Sequence, residues 1–262
     1  MSGSSEVYEA ADLAHGGEIF RRLNPPARLA IFGNPVAHSA SPRMQNAALR
    51  ENHHPIQYVR IRVSPPELKS ALTDLASTGF LGINITIPHK QAAMALVNEV
   101  SKEARLMGAI NTVAVREGKL HGFNTDGPGF AAAIREEFGI PLGELRVLIL
   151  GGAGGAGRAI TIQCLLEGSP RVVIANRNLE KGNALAAEIR EQLDKEVTSI
   201  SLEANNGAFS KVLTSVDLIV NATPLGMKSS DPSPLPEGLI TSHHFVYDTV
   251  YSGGTTALLR QA

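Results

Sequence analysis

Apolar and polar positions along this chain fall into two regimes. From residue 146 onward, short unbroken apolar runs alternate with longer stretches of helical spacing. The run Val147-Leu148-Ile149-Leu150 enters Gly151-Gly152-Ala153-Gly154-Gly155-Ala156-Gly157. A helix is predicted over 156–166, and a strand over 171–175 follows Gly168-Ser169-Pro170. Unbroken Val/Ile/Leu runs bounded by glycine mark strands buried on both faces, and helices between them imply a parallel sheet. Helices at 179–193 and 209–213 and strands at 198–202, 217–221 and 245–248 continue the alternation, and 257–261 closes as a helix. The second half therefore reads as a Rossmann-type doubly wound parallel sheet, with ligands expected at the carboxyl ends of its strands.

The first half is less regular. Residues 1–24 read as a polar extension with one short helix at 17–23, closed by Asn24-Pro25-Pro26. A strand at 29–32 ends in Gly33-Asn34-Pro35, and Ser41-Pro42 opens a helix to residue 51, with the serine as N-cap and the proline in the first turn. An alternating strand spans 57–63. Ser64-Pro65-Pro66-Glu67 is a capping box that opens a helix carrying Leu68, Leu72 and Leu75 and ending at Gly79. A β-branched strand over 83–87 stops at Pro88. Helices over 91–100 and 103–106 follow, then a hairpin of 112–116 and 120–123 around Glu117-Gly118, then a helix from Asp126 to residue 138. Gly139-Ile140-Pro141 has the composition of a linker. The fold class expected is α/β: an N-terminal α/β domain followed by the Rossmann-type sheet.

Composition narrows the partners. A chain of 262 residues has room for two domains with their own cores, and 43% hydrophobic with 19% charged residues is typical of soluble globular proteins. A formal net charge of −1 supplies no global field for nucleic acid or an anionic membrane, so neither is expected as a partner and anionic ligands must be met by local groups. The single cysteine, Cys164, lies inside a predicted helix as a small core residue; it excludes an intrachain disulfide or a multi-cysteine metal site and fits a reducing cytoplasm. No run approaches the ~18 apolar residues of a membrane span, and the N-terminus lacks the pattern of a signal peptide. His38 and His89 read as loop or hydrogen-bonding residues. His53-His54 and His243-His244 are adjacent pairs expected to point apart, and no metal is expected.

Candidate chemistry sits at strand ends. Gly152, Gly154 and Gly157 keep the G-x-G-x-x-G spacing. The first permits the tight turn, the second lets a pyrophosphate approach the backbone, and the third lets helix and strand pack closely. The helix that opens there offers first-turn N–H groups to phosphates. Cofactor contacts are thus expected from Gly152, Ala153, Gly154, Gly155 and Ala156. The next strand ends in Ala175-Asn176-Arg177-Asn178, where NAD-selective folds carry a carboxylate for the ribose 2′-OH. Asn176 and Arg177, with Lys181 one turn on, favour a 2′-phosphate, hence NADP over NAD.

In the first half three polar patches end apolar strands: His38-Ser39-Ala40-Ser41, Asn84-Ile85-Thr86-Ile87-Pro88-His89-Lys90, and Ala109-Ile110-Asn111-Thr112 with Asn124-Thr125-Asp126. Two hydroxyls, an amide, a threonine, an ammonium and a carboxylate suit a small polyhydroxylated acid. The serines would hold its carboxylate, and Lys90 with Asp126 would manage a proton at the reacting oxygen. Each residue also has a purely structural reading. Ser41 and Asp126 serve as helix caps, Lys90 is solvated, and Asn111 makes turn contacts.

These patches, with Phe32-Gly33-Asn34-Pro35-Val36-Ala37 ahead of the serines, Asn124-Thr125-Asp126-Gly127, the glycine loop and Asn221-Ala222-Thr223-Pro224-Leu225-Gly226-Met227, resemble the shikimate dehydrogenase family, in order from about Arg28 onward. The resemblance implies that Ser39, Ser41, Thr86, Lys90, Asn111, Asp126 and Tyr251 bind shikimate, with Lys90 as proton donor and acceptor paired with Asp126. It implies that Thr223 and Thr249 join the cofactor contacts, and that the chain reduces 3-dehydroshikimate reversibly with NADPH on the route to chorismate and the aromatic amino acids. It places a substrate-binding and catalytic domain at 1–126, an NADP-binding Rossmann domain at 127–250 and the start of a C-terminal return segment at 251–262, in a cytoplasmic protein for which a homodimer is the assembly to test. Two alternatives stay open: a quinate/shikimate dehydrogenase using NAD, and a catalytically silent shikimate-like binding module. The paired serines favour shikimate, and the intact Lys90 and Asp126 favour turnover. The family's chain continues past Thr256-Ala257-Leu258-Leu259-Arg260-Gln261-Ala262 into a glycine-led stretch with a substrate-contacting glutamine. The sequence ending at Ala262 is accordingly expected to bind shikimate weakly and turn over slowly while keeping NADP binding. Ser252-Gly253-Gly254 stands where the family commonly has proline, which leaves the loop at Tyr251 open.

Overall fold

The computed structural model describes residues 6–203, 207–251 and 254–262. The chain divides into two compact units, residues 1–125 and 126–262.

The first unit contains β1 (Val7–Glu9), α1 (Glu18–Arg22), β2 (Ala27–Gly33), α2 (Ser41–Glu51), β3 (Gln57–Arg62), α3 (Leu68–Thr78), β4 (Gly82–Ile85), β5 (Glu99–Val100), α4 (Lys102–Met107), β6 (Thr112–Arg116) and β7 (Lys119–Phe123). Its seven-stranded sheet runs in the order β1-β3-β2-β4-β6-β7-β5. The first four strands are parallel, β6 is antiparallel to β4 and β7, and β5 runs parallel to β7. Alternation along β3 sorts its side chains between the faces. Val59 and Ile61 enter the main core with Leu13, Phe20, Leu72 and Leu75. Tyr58 packs on the other face with Ile31 and Val36. The hairpin between β6 and β7 turns at Glu117 and Gly118, both in the left-handed region at φ 51° and 72°, as a type I′ turn requires.

Two expectations for this unit are corrected. Residues 7–20 are not a polar extension: β1 is the edge strand against β3, and Phe20 is buried between Tyr8 and Phe80 with ring centroids 5.0 and 5.2 Å away. The apolar residues here are too sparse for periodicity to reveal, because a 3₁₀ segment at Ala10–Gly16 separates them. Residues 91–100 are not one helix. After a 3₁₀ turn at Ala92–Leu96, Asn98 donates its N–H to the Leu120 carbonyl and accepts the Leu120 N–H on Oδ1, which draws the chain alongside β7 as β5.

The second unit contains α5 (Asp126–Phe138), β8 (Arg146–Leu150), α6 (Gly155–Leu166), β9 (Arg171–Asn176), α7 (Leu179–Leu193), β10 (Thr198–Ser201), α8 (Gly207–Leu213), β11 (Leu218–Asn221), β12 (Phe245–Asp248) and α9 (Ala257–Gln261). Its five strands are all parallel, in the order β10-β9-β8-β11-β12. Val147, Leu148, Ile149 and Leu150 are fully buried, as a central strand covered on both faces must be. Helix α5 packs against α6 and so belongs to this unit. The turn at Gly139-Ile140-Pro141, expected to be a linker, therefore lies inside the second unit, not at its edge.

Candidate active site

In the first unit, register brings the predicted patches to one edge of the sheet. Phe32 pairs with Ile61 and Ile85, so β2, β3 and β4 end level. Because β6 is antiparallel, its first residue Thr112 lies opposite Asn84 near the end of β4 and opposite Phe123 at the end of β7. The segments leaving this edge carry Ser39 and Ser41, Thr86 and Lys90, Asn111, and Asn124-Thr125-Asp126. Backbone bonds hold them close: the Thr86 N–H donates to the Phe32 carbonyl at 2.9 Å, and the Ile110 N–H to the Lys90 carbonyl at 2.9 Å.

Asn111 is buried and does more than shape a turn. Its Oδ1 accepts the Thr125 N–H at 2.9 Å and its Nδ2 donates to Thr125 Oγ1 at 3.0 Å, which fixes the backbone immediately before Asp126. Asp126 is the first residue of α5 and of the second unit. Asn84 donates through Nδ2 to Thr112 Oγ1 at 3.1 Å and to the Asn111 carbonyl at 3.3 Å. Its Oδ1 accepts the Tyr58 hydroxyl at 2.8 Å. Burial pushes the Tyr58 phenol above its ordinary pKa, while the Ser41 hydroxyl hydrogen-bonded to it opposes that shift. Tyr58 is thereby a neutral relay between the serine segment and the asparagine pair. Neither Tyr58 nor Arg60 was anticipated; each is one residue of a strand, and only its placement on the α2 face of β3 brings it to the site.

Ser41 is not a cap. The N-cap position of α2 is Ala40, and Ser41 is the first helical residue. Ser39 Oγ accepts the Ser41 N–H at 3.2 Å and donates to Ser41 Oγ at 3.1 Å, so the two hydroxyls stand side by side. Arg60 grips this turn from β3, donating Nη2 and Nε to the Ser39 carbonyl at 2.6 and 3.1 Å. His89 is buried and hydrogen-bonds through Nε2 to the Val63 carbonyl at 2.7 Å, a structural role.

In the second unit the strands again end level, with Asn221 paired to Leu150 and Asp248, and the chain reverses its winding between β8 and β11. The positive φ that the tight turn needs belongs to Gly151, at 80°, one residue before the glycine the spacing had nominated. Gly152 is required for another reason: a Cβ there would stand 2.4 Å from Ile174 Cγ2. Gly157 has the expected packing role, since its Cβ would meet the Gly151 carbonyl oxygen at 2.2 Å. The Arg158 N–H makes the bond to the Gly154 carbonyl at 2.7 Å, so the N–H groups of Gly155, Ala156 and Gly157 are the first-turn donors. Asn176 Oδ1 accepts the Ala153 N–H at 2.9 Å, and its buried Nδ2 has no partner. Arg177 and Lys181 are exposed beside it, at the head of α7. Open donors, a glycine cradle and two cations with no carboxylate at the end of β9 fit a dinucleotide bearing a 2′-phosphate.

Arg158, in the first turn of α6, is engaged with Glu188 through two bonds of 2.7 and 2.6 Å, and its guanidinium holds the Glu188 carboxyl below the usual carboxylate range. Thr223 donates its hydroxyl to Asn221 Oδ1 at 2.7 Å, Asn221 Nδ2 donates to Asp248 Oδ1 at 2.9 Å, and Thr256 donates to Asp248 Oδ2 at 2.7 Å. That network ties the start of α9 to the ends of β11 and β12, and the Thr249 N–H joins it at the Asn221 carbonyl, 3.0 Å away. Tyr251 is 83% exposed; Ser252 and Gly253 lie outside the described residues. His243 and His244 do not point apart. Their ring centroids are 3.9 Å from each other, because Nδ1 of both rings folds back onto Thr241 while His244 Nε2 bonds the Leu213 carbonyl.

Residues 31–113 match the shikimate dehydrogenase substrate binding domain, and residues 147–227 match the saccharopine dehydrogenase NADP binding domain. The chain is 43% identical to the shikimate dehydrogenase (NADP(+)) of Desulforamulus reducens over 88% of its own length and 79% of that protein's. It is 40% identical to the protein of the same name from Methanopyrus kandleri, over 88% and 80%. Among solved structures it resembles shikimate 5-dehydrogenase from Thermus thermophilus in complex with NADP(H) and shikimate, with TM-score 0.79, 38% identity, and coverage of 90% of this chain and 83% of that one.

Proposed function

From its membership, since the chain belongs to the shikimate dehydrogenase family, we propose that it catalyses the reversible NADPH-dependent reduction of 3-dehydroshikimate to shikimate in aromatic amino-acid biosynthesis, with Lys90 as the proton donor and acceptor and Asp126 as its partner. It is an NADP-dependent oxidoreductase acting on a CH–OH group. The observation that carries the residue assignment is the shared edge of the first unit's sheet, where paired serine hydroxyls, Thr86, Lys90 and Asn111 leave adjacent strand ends. Ser39 and Ser41 donate to the substrate carboxylate, and Thr86 and Asn111 orient ring hydroxyls. The Lys90 ammonium hydrogen-bonds to the ring oxygen, stabilises negative charge as it develops there and delivers the proton; in the reverse direction the neutral amine takes it back. Asp126 orients Lys90, itself positioned by Asn111 through Thr125. NADPH, when bound, supplies the hydride.

In this reading Arg177 and Lys181 pair with the 2′-phosphate and the Gly151–Gly157 loop cradles the pyrophosphate, which the exposure of both cations and the open first-turn N–H groups support. Tyr251, Thr223 and Thr249 complete the set on the grounds of family resemblance. The chain works as a cytoplasmic enzyme on small molecules. The test is an absorbance assay at 340 nm with shikimate and quinate, each with NADP and NAD. Turnover restricted to shikimate with NADP supports this reading, quinate with NAD supports the sister activity, and no turnover supports the silent module. Lys90→Ala should lower kcat by about 10²- to 10⁴-fold with a smaller change in shikimate KM, the loss expected for a positioned general acid. A kcat within a few-fold of the parent would remove Lys90 from the chemistry.

A further inference from the structure

The grip of Arg60 on the Ser39 carbonyl is an unusual use of a guanidinium. Arg60 lies on β3 beyond Tyr58 on the same face, half-buried, and sends two of its five donors to a single backbone oxygen. The Ser39–Ala40 peptide is trans, so tying its carbonyl to Arg60 points the Ala40 N–H the opposite way within the peptide plane. The turn already has internal bonds from Ser39 Oγ to the Ser41 N–H and hydroxyl, and from the Ser39 N–H to the Val36 carbonyl at 3.1 Å. What those bonds do not settle is the tilt of the turn against the sheet. With a chain net charge of −1, a carboxylate must be held by local groups.

We propose that Arg60 is a positioning residue for the substrate carboxylate. By clamping the Ser39 carbonyl it fixes the Ser39-Ala40-Ser41 turn so that both hydroxyls face the carboxylate together, and it adds positive potential behind them. This rests on the reading of Ser39 and Ser41 as carboxylate ligands. Arg60 touches the turn and not the reacting atoms, so its loss falls on substrate affinity and spares the chemical step.

Arg60→Met and Arg60→Lys test this in the full chain, with shikimate and NADP varied separately. A charge-assisted clamp is worth enough for R60M to raise the shikimate KM about tenfold or more. The kcat and the KM for NADP should stay within about twofold, the pattern of lost uniform binding. R60K keeps a cation able to reach the same carbonyl and should recover most of the loss. A brace with no bearing on the ligand would lower the melting temperature of R60M and leave shikimate KM unchanged; that result overturns the inference, as does a fall in kcat or a rise in NADP KM matching the rise in shikimate KM. If R60M does not give a cooperative melt, Arg60→Gln carries the same prediction. Absence of shikimate turnover by the parent overturns the proposed function, and this inference with it; parent turnover with an unaltered R60M or R60Q overturns the inference alone.

Discussion

Asn176 closes the turn beneath the glycine loop with its amide oxygen, and the next residue is the one proposed to set the cofactor preference. Its Oδ1 holds the Ala153 N–H, while Arg177 stands exposed at the head of α7, where a carboxylate would favour a ribose 2′-OH and repel a 2′-phosphate. Arg177→Ala should therefore raise the KM for NADP much more than the KM for NAD, by roughly tenfold or more for the loss of a charge-assisted contact. Equal effects on the two cofactors would deny Arg177 that role. Cys164 offers a different readout. It is buried in α6, and burial pushes its thiol up to about 12, so almost no thiolate exists at neutral pH. Iodoacetamide should label it at pH 8 only as the protein unfolds; rapid labelling of the native chain would show that α6 opens. Much of the proposed site was legible one residue at a time, because Ser39, Ser41, Thr86, Lys90, Asn111 and Asp126 sit in short motifs that the fold carries to strand ends. Tyr58 and Arg60 were not legible. Within Gln57-Tyr58-Val59-Arg60-Ile61-Arg62 nothing distinguishes them from ordinary alternation until the strand pairs and α2 covers that face.

At the scale of elements, legibility followed how each element is stabilised. Strands β8, β9 and β11 are buried on both faces, so their apolar runs read to within a residue or two, and α5 and α7 begin and end as expected. Strands β1 and β5, of three and two residues, owe their existence to pairing with β3 and β7; such strands leave no local signal because tertiary pairing overrides propensity. The glycine loop shows the same division. Its spacing was plain, yet the residue with the turn's positive φ was one position away. Steric room now ranks its glycines. Gly157→Ala places a methyl against the Gly151 backbone and should destabilise by about 1–3 kcal/mol or more, with loss of NADP binding. Gly155→Ala meets nothing within 4 Å and should match or exceed the parent by up to about 1 kcal/mol, since alanine is the better helix former. Thermal melts of the two variants check the ranking, and a stable Gly157→Ala would contradict the packing role.

For the whole molecule, the ion pairs that acid is expected to weaken most are in the second unit. In the second unit, Arg158–Glu188 joins α6 to α7, and Arg146–Asp217 joins the starts of β8 and β11. Both carboxyls are held below their ordinary range, chiefly by hydrogen bonds from those arginines. In the first unit, Arg22–Glu18 and Arg62–Glu9 are pairs with both side chains largely in solvent, the kind that contributes little. A carboxyl whose folded pKa is depressed adds stability that is fully present above its unfolded pKa and is lost as pH falls through the folded value. Glu188 is partly exposed, so its contribution is on the order of 1 kcal/mol, the upper end for a bidentate pair open to water. Glu188→Gln should lower the melting temperature at pH 7 by about 2–4 °C, as that loss implies for a chain of this size. The gap between variant and parent should hold down to about pH 4.3, the ordinary glutamate value, and shrink below it as the parent's Glu188 takes up its proton. Hydrogen exchange locates the effect: faster exchange in α6 and α7 of the variant at pH 7, with the sheet of the first unit unchanged. A gap that persists undiminished below pH 3 would show that Glu188 acts through packing and not through its charge.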